Sequence, residues 1–312
     1  MSDLKPRKDL LDIGSLGLDE IEYVLGNAVP FKQLFQRSVK KVPTLRGKTV
    51  LNLFYEPSTR TSSSFEVAAN RMSADVTNFS VSSSSISKGE SLLDTIETLQ
   101  AMQSDYIVIR HQAAGVPNIV ANHTRASVIN AGDGYHAHPT QALLDTMTFR
   151  EVHPDYAGKR IAIVGDVLHS RVARSTSTLF HKQGIEVGVL GPGALIPEGR
   201  PAFMQRFQSW EDVFDWKPHA IYLLRVQMER QEGQFFPSVA EYHKMYGMNS
   251  DRLVSMRKLG AYLMHPGPVN RGVEVTDEAM SYEKSLISTQ VENGIAVRMA
   301  VLHWLKPETQ KD

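Results

Sequence analysis

The chain has 312 residues, enough at roughly 150 residues per domain for two domains with real cores, and its 42% hydrophobic and 22% charged content excludes a disordered, fibrous or coiled-coil polypeptide. Lysine plus arginine (34) balance aspartate plus glutamate (34), so no net field draws nucleic acid or an anionic membrane, and an anion site has to be built locally. The absence of cysteine removes disulfides, thiolate catalysis and cysteine-held metals, and with no leader-like or membrane-length apolar run the composition points to the cytoplasm.

Residues 18–38 carry Leu18, Ile21, Leu25, Phe31, Leu34 and Phe35 at spacings near three and four, which predicts a helix bent at Pro30. A strand follows over 49–54, then Tyr55-Glu56-Pro57-Ser58-Thr59-Arg60-Thr61 and a helix over 63–72. The alternation continues with strand 76–81, helix 92–102, strand 106–109, a short helix near 118–122, strand 127–130 and helix 138–150. A polar stretch over 152–159, with Pro154 and Gly158, places a boundary there, giving domains at 1–151 and 152–289. The second series opens at Arg160-Ile161-Ala162-Ile163-Val164-Gly165-Asp166, runs through strands 186–190, 220–224 and 261–265, and ends in an apolar helix over 291–305. Strands alternating with helices predict an α/β fold of two doubly wound parallel-sheet domains, with ligands in the cleft at the carboxyl ends of the strands.

The chemistry-bearing residues fall at those ends. Pro57-Ser58-Thr59-Arg60-Thr61-Ser62 gathers hydroxyls around an arginine where a helix begins. Free N–H groups, the helix dipole and a planar guanidinium suit phosphate there, with an ordinary N-cap as the alternative. Residues 80–87 hold six serines and run into Lys88-Gly89-Glu90, by composition a flexible loop, or one that carries Ser84 and Lys88 to an anionic substrate. The strand at 106–109 ends in Arg110-His111. Past the next strand, His136 and His138 form an H-x-H pair. No further ligand pair of zinc spacing follows it, so His138 ahead of Pro139 reads as an inward hydrogen-bond donor above a metal ligand.

In the second half, Gly165-Asp166-Val167-Leu168-His169-Ser170-Arg171 lacks the G-x-G-x-x-G glycines, which disfavours a dinucleotide. Arg171 at a helix start, and Arg225 with Gln227 beyond a strand, suit carboxylates, though each alone also fits a surface ion pair. His265-Pro266-Gly267-Pro268 forms a rigid turn that is either purely structural or presents carbonyls to an amine or amide. Several arginines, a lysine and a histidine, with no carboxylate base, thiol or nucleophile relay, imply strongly anionic substrates. They suit transfer of a phosphate-activated group, catalysed by orientation and by stabilising oxyanion charge.

The motifs Pro57-Ser58-Thr59-Arg60-Thr61-Ser62, Lys88-Gly89-Glu90, Arg110-His111, His138-Pro139-Thr140-Gln141, Arg225-Val226-Gln227 and His265-Pro266-Gly267-Pro268 run in this order along nearly the whole chain. Together they resemble those of the aspartate carbamoyltransferase catalytic chains. The resemblance implies a carbamoyl phosphate-binding domain over 1–151, an L-aspartate-binding domain over 152–289 and a closing helix over 290–306 that returns to the first domain. It implies carbamoyl transfer to aspartate through a tetrahedral intermediate, giving N-carbamoyl-L-aspartate and phosphate for pyrimidine synthesis, with no cofactor and no metal.

Carried over by that resemblance, Ser58, Thr59, Arg60 and Thr61 hold the phosphate, while Thr61, Arg110 and His138 surround the carbamoyl oxygen. Gln141 and the carbonyls of Pro266 and Gly267 take the carbamoyl amide. Arg171, Arg225 and Gln227 grip the aspartate carboxylates, with Lys88, Gly267 and Pro268 beside them. Arg60, Thr61, Lys88, Arg110 and His138 are the catalytic set. Ser84 and Lys88 would come from a neighbouring subunit, which implies a homotrimer with shared sites, open to association with regulatory subunits or a dihydroorotase. Gly267 stands where some members carry leucine, which points to a more flexible turn. Ornithine carbamoyltransferases generally have arginine where Ser62 stands and cysteine in the turn, so aspartate is favoured. A zinc-dependent amidohydrolase built on His136 and His138, and a catalytically dead scaffold, are the remaining alternatives.

Overall fold

The computed structural model describes residues 4–80, 91–226 and 238–307, and the chain divides into two units, Met1–Leu144 with Glu292–Asp312, and Asp145–Val291. The first unit is built on β1 (Thr49–Phe54), β2 (Asp75–Ser80), β3 (Tyr106–His111) and β4 (Ser127–Asp133), all parallel, in the order β2-β1-β3-β4. Helix α2 (Thr59–Arg71) joins β1 to β2, α3 (Leu92–Ala101) precedes β3, and α4 (Val116–Asn122) joins β3 to β4. The first connection steps one way along the sheet and the other two step back. Right-handed crossovers therefore place α2 on one face and α3 and α4 on the other. Burial agrees: Ile96 and Leu99 of α3 and Val116 and Val120 of α4 pack with Leu51, Leu53, Ile107 and Ile109. A sheet covered on both faces needs apolar residues at nearly every position, and Val50, Leu51, Leu53 and Phe54 are all buried. Asn52 is the polar exception, and it donates from Nδ2 to Asn78 Oδ1 on β2 at 2.8 Å.

Ahead of α1 (Leu18–Gln33) the chain lies along the outer edge of β4. The Leu10 N–H donates to Val128 O at 2.9 Å, the Asn130 N–H to Leu10 O at 2.9 Å, and the Val128 N–H to Asp9 Oδ1 at 2.8 Å. Helix α3 starts where Ser91 and Asp94 cap each other, the Ser91 N–H donating to Asp94 Oδ2 at 2.9 Å and the Asp94 N–H to Ser91 Oγ at 3.2 Å.

The second unit carries β5 (Arg160–Val164), β6 (Glu186–Leu190), β7 (Met204–Arg206), β8 (Ala220–Leu223) and β9 (Tyr262–Met264) in the order β7-β6-β5-β8-β9, again all parallel. Alternate residues of one strand feed two separate cores. Ile161 and Ile163 pack with Phe180 of α6 (Arg171–Lys182), whereas Ala162 and Val164 pack with Val213 of α7 (Trp210–Asp215) and with Leu253 and Met256. The latter two lie on α9 (Ser250–Leu259), which follows α8 (Val239–Tyr246) and precedes the short α10 (Asp277–Met280). Helices α5 (Pro139–Val152) and α11 (Ile287–Trp304) contain the points at which the chain passes from one unit to the other.

The expected α/β class, with two parallel sheets and a C-terminal helix, is what the chain forms. Several bounds differ. The first helix keeps Pro30 inside it and gives way at Leu34 to a single 3-10 turn ending at Gln36, short of residue 38. Helix α2 starts at Thr59 rather than 63, β3 and β4 run on to His111 and Asp133, and β7 has no counterpart among the expected strands. Among the described residues, no helix is long and apolar enough to cross a membrane.

Gly188 lies inside β6, where an added Cβ falls well within contact distance of the Phe207 ring and at 3.1 Å from Trp216. Gly188→Ala should destabilise the second unit by about 1–3 kcal/mol through overpacking, read as a lower urea midpoint for that unit's unfolding.

Candidate functional site

Each sheet changes winding direction beside its first strand. The carboxyl ends of β1 and β3 flank this point in one unit, and those of β5 and β8 in the other. Such points leave an opening for ligands because no crossover covers them.

In the first unit, Arg110 is the penultimate residue of β3, in register with Phe54 at the end of β1. Its carbonyl accepts the Tyr55 N–H at 2.9 Å, and its Nε donates to Glu56 Oε2 at 3.0 Å. The register of β3 against β4 shifts between Ile109 and His111, an irregularity that bends a strand end and redirects its side chains. His111 packs against the Tyr55 ring at 4.8 Å between centroids and accepts the Ala113 N–H at Nδ1. Burial holds its pKa below the usual imidazole value.

Ser58 precedes α2, and its side chain makes no cap hydrogen bond. The Ser62 hydroxyl turns back to the carbonyls of Ser58 and Thr59 at 2.9 and 3.2 Å. Thr59 and Arg60 are exposed, Ser58 is half-buried and Thr61 is buried in the first turn. Of the four hydroxyls grouped from the sequence, Ser62 is therefore occupied within the helix start, and Ser58 does not act as its cap.

His138 and Gln141 are buried at the start of α5, and the His138 carbonyl accepts the Gln141 and Ala142 N–H groups at 3.1 and 3.3 Å. The loop that delivers them is organised by Asp133, which is fully buried. Its Oδ1 accepts the Ala137 N–H at 3.1 Å and Asn130 Nδ2 at 2.8 Å, and its Oδ2 accepts the Gly115 N–H at 2.7 Å. Gly134 has φ +44° with the Ala114 nitrogen 2.9 Å from where a Cβ would sit, so only glycine fits this approach of the β3 and β4 ends. His136 turns to Asp133, with Nδ1 3.0 Å from Oδ2. Among the described residues, no group of three His, Cys, Asp or Glu is placed to hold a metal ion.

In the second unit, Gly165 follows β5 at φ +130°, with the Tyr242 hydroxyl 2.9 Å and Leu224 Cβ 3.1 Å from a would-be Cβ. Asp166 accepts the His169 N–H at 3.0 Å, and Ser170 caps α6 by accepting the Ala173 N–H at 3.0 Å. Arg171 is the first residue of that helix and is buried. Across the switch point, the Leu224 N–H donates to Val164 O at 2.8 Å, which prolongs the pairing of β8 with β5 and sets the half-buried Arg225 at its end. After β9, Pro266 is followed by Gly267 at φ +66° and a cis Gly267–Pro268 peptide, and the Gly267 N–H donates to His265 Nδ1 at 2.8 Å. The positive φ is one that glycine adopts without strain. Ser84, Lys88 and Gln227 lie outside the described residues.

Thus Ser58 to Thr61, Arg110, His138 and Gln141 lie near one set of strand ends, and Arg171, Arg225, Pro266, Gly267 and Pro268 at the other. Backbone N–H groups and guanidinium cations at such places bind phosphate and carboxylate and stabilise charge that develops on oxygen. Glu56, Asp133 and Asp166 are not singled out by the sequence patterns. The one hint they give is position, since each stands within a few residues of a strand's carboxyl end.

Residues 8–151 match the family described as aspartate/ornithine carbamoyltransferase, carbamoyl-P binding domain, and residues 157–305 match aspartate/ornithine carbamoyltransferase, Asp/Orn binding domain. The aspartate carbamoyltransferase catalytic subunit of Akkermansia muciniphila is 62% identical over 305 residues, covering 98% of this chain and 99% of that one. The aspartate transcarbamoylase of Trypanosoma cruzi in complex with carbamoyl aspartate and phosphate superposes with a TM-score of 0.87 at 28% identity, covering 96% of each chain. The same enzyme in complex with N-(phosphonacetyl)-L-aspartic acid superposes at 0.84 with 27% identity, covering 98% of each.

Asp133→Ala leaves several buried donors without their acceptor, at about 1–3 kcal/mol each. The unfolding free energy of the first unit should fall by at least about 2 kcal/mol, measured by urea denaturation, with Asp133→Asn losing less because Oδ1 remains.

Proposed function

We infer the roles of individual residues from one premise: the chain belongs to the aspartate/ornithine carbamoyltransferase family. The reaction is carbamoyl transfer from carbamoyl phosphate to the amino group of L-aspartate, giving N-carbamoyl-L-aspartate and phosphate. The observation that carries it is the 62% identity to an aspartate carbamoyltransferase catalytic subunit over 98% of the chain.

In this reading Ser58, Thr59, Arg60 and Thr61 bind the phosphate at the start of α2, where the absence of a Ser58 cap supports a role for the helix N–H groups. The uncharged aspartate amine attacks the carbamoyl carbon. As the carbon–nitrogen bond forms, negative charge collects on the carbamoyl oxygen, where Thr61, Arg110 and His138 stabilise it. The bond to the phosphate oxygen then breaks, and the amine proton leaves with the phosphate. Glu56 holds Arg110 through Nε, which limits the swing of its guanidinium before substrate arrives. Gln141 and the Pro266 carbonyl orient the carbamoyl amide. Arg171 and Arg225, with Gln227, receive the aspartate carboxylates, beside Lys88, Gly267 and Pro268.

Those arginines also set the choice of amine. L-Aspartate brings two carboxylates to them, whereas L-ornithine brings an ammonium that they repel. The same reading places the reaction in pyrimidine biosynthesis in the cytoplasm. It makes the assembly a homotrimer in which Ser84 and Lys88 serve a neighbouring subunit's site, with regulatory subunits or a dihydroorotase as further partners.

The purified chain should consume carbamoyl phosphate with L-aspartate and not with L-ornithine when both are assayed side by side; the reverse preference, or no consumption with either, overturns the reading. Arg110→Ala should lower turnover by about 100- to 1000-fold in a protein that still folds, and near-normal turnover would remove Arg110 from the oxyanion site.

A further inference from the structure

We propose that Glu274 and His265 are positioning residues that lock the 265–268 turn and the end of β8 together, and so fix where the Pro266 carbonyl meets the carbamoyl amide. The proposal rests on the carbamoyl-transfer reading above. The peptide plane that carries the Pro266 carbonyl also carries the Gly267 N–H, and the plane before it has no N–H because proline lacks one, so the carbonyl's direction depends on what holds Gly267 and His265.

Both neighbours are held by buried side chains. The Gly267 N–H donates to His265 Nδ1 at 2.8 Å, so that nitrogen presents a lone pair and the ring proton resides on Nε2. Nε2 donates in turn to Glu274 Oε1 at 3.1 Å. The same carboxylate oxygen accepts the Asn270 N–H at 2.6 Å, and Asn270 Nδ2 donates to the Val226 carbonyl at 3.0 Å, one residue beyond Arg225. One carboxylate oxygen thus ties the turn after β9 to the strand end that carries Arg225.

The backbone side of His265 is fixed separately. Its N–H donates to Gln290 Oε1 at 3.0 Å, and Gln290 Nε2 donates to Asp145 Oδ1 at 2.7 Å. Asp145 Oδ2 accepts the hydroxyls of Tyr222 at 2.8 Å and Thr176 at 3.1 Å. Glu274, His265, Gln290 and Asp145 are each at most 2% exposed, so these bonds act in a low dielectric where a lost partner is costly. His265 is held on two sides and cannot rotate without breaking bonds on both.

The test compares Glu274→Leu with Glu274→Gln in the full-length enzyme. Glutamine keeps an oxygen that accepts both N–H groups, and leucine does not. Glu274→Leu should lower kcat by about 10- to 100-fold while the KM for carbamoyl phosphate, set by the cations on its phosphate, changes little, and Glu274→Gln should restore most of the rate. N-(phosphonacetyl)-L-aspartate carries the aspartate amide nitrogen on its acyl carbon but lacks the carbamoyl NH2, so its inhibition should weaken far less than kcat falls. A folded Glu274→Leu enzyme with normal kcat overturns the proposal. So does a loss of kcat matched by an equal loss of inhibitor affinity, and so does a glutamine variant as slow as the leucine one. If the leucine variant does not fold, His265→Asn gives the same comparison, because it can still accept the Gly267 N–H but does not reach Glu274. Wild-type enzyme that leaves aspartate uncarbamoylated removes the reaction itself, whereas active wild-type with unaffected variants removes the positioning role alone.

Discussion

A small, multiply charged anion gives up strong hydration when a protein binds it, so the protein must offer several donors already aimed at one place. A parallel sheet offers such a place where two neighbouring strands send their connections in opposite directions. In the first unit this brings the uncapped start of α2 and the end of β3 side by side, with Arg110 in register with Phe54. In the second it brings the start of α6 and the end of β8 together through the Leu224 to Val164 hydrogen bond. A chain with no net charge can still act on anions because Arg60, Arg110, Arg171 and Arg225 stand at these ends.

Gathered cations need backing, and the acids that supply it share a pattern. Glu56 follows β1, Asp133 ends β4, Asp166 follows β5 and Glu274 lies beyond β9. Glu56 holds Arg110 directly, while Asp133, Asp166 and Glu274 accept backbone N–H groups of the loops that carry the proposed binding residues. A carboxylate that accepts N–H groups makes strong, short bonds and asks for no cation in return. The loops are therefore stiffened from behind.

Much of this was legible in the sequence. Strands 49–54 and 186–190 match β1 and β6 to the residue, since short runs rich in Val and Leu that follow polar stretches have few other readings. Helix α2 was read four residues short because Thr59 to Ser62 look like a loop in composition, although Ser62 bonds back to Ser58 and extends the helix. Strand β7, only Met-Gln-Arg at a sheet edge, is too short and too polar to show a period. The arginines and His138 could be picked out because cations and an imidazole near strand ends fit an anion site. Glu56, Asp133 and Glu274 could not, because their partners lie far away in the chain or in loops whose course is set only on folding. The positive φ of Gly267, which favours glycine, leaves no mark in a one-dimensional pattern.

The pairing of Leu10 with Val128 and Asn130 concerns the molecule's dealings with its neighbours as well as its own fold. The outermost strand of any open sheet presents a ladder of unused amide groups, and such ladders recruit strands from other polypeptides. Here a short leading stretch occupies that ladder before a stranger can. A version clipped back to the first helix would keep its arginines and strand-end turns yet bare an adhesive seam, and a bulky fusion joined just upstream would press on the same guard.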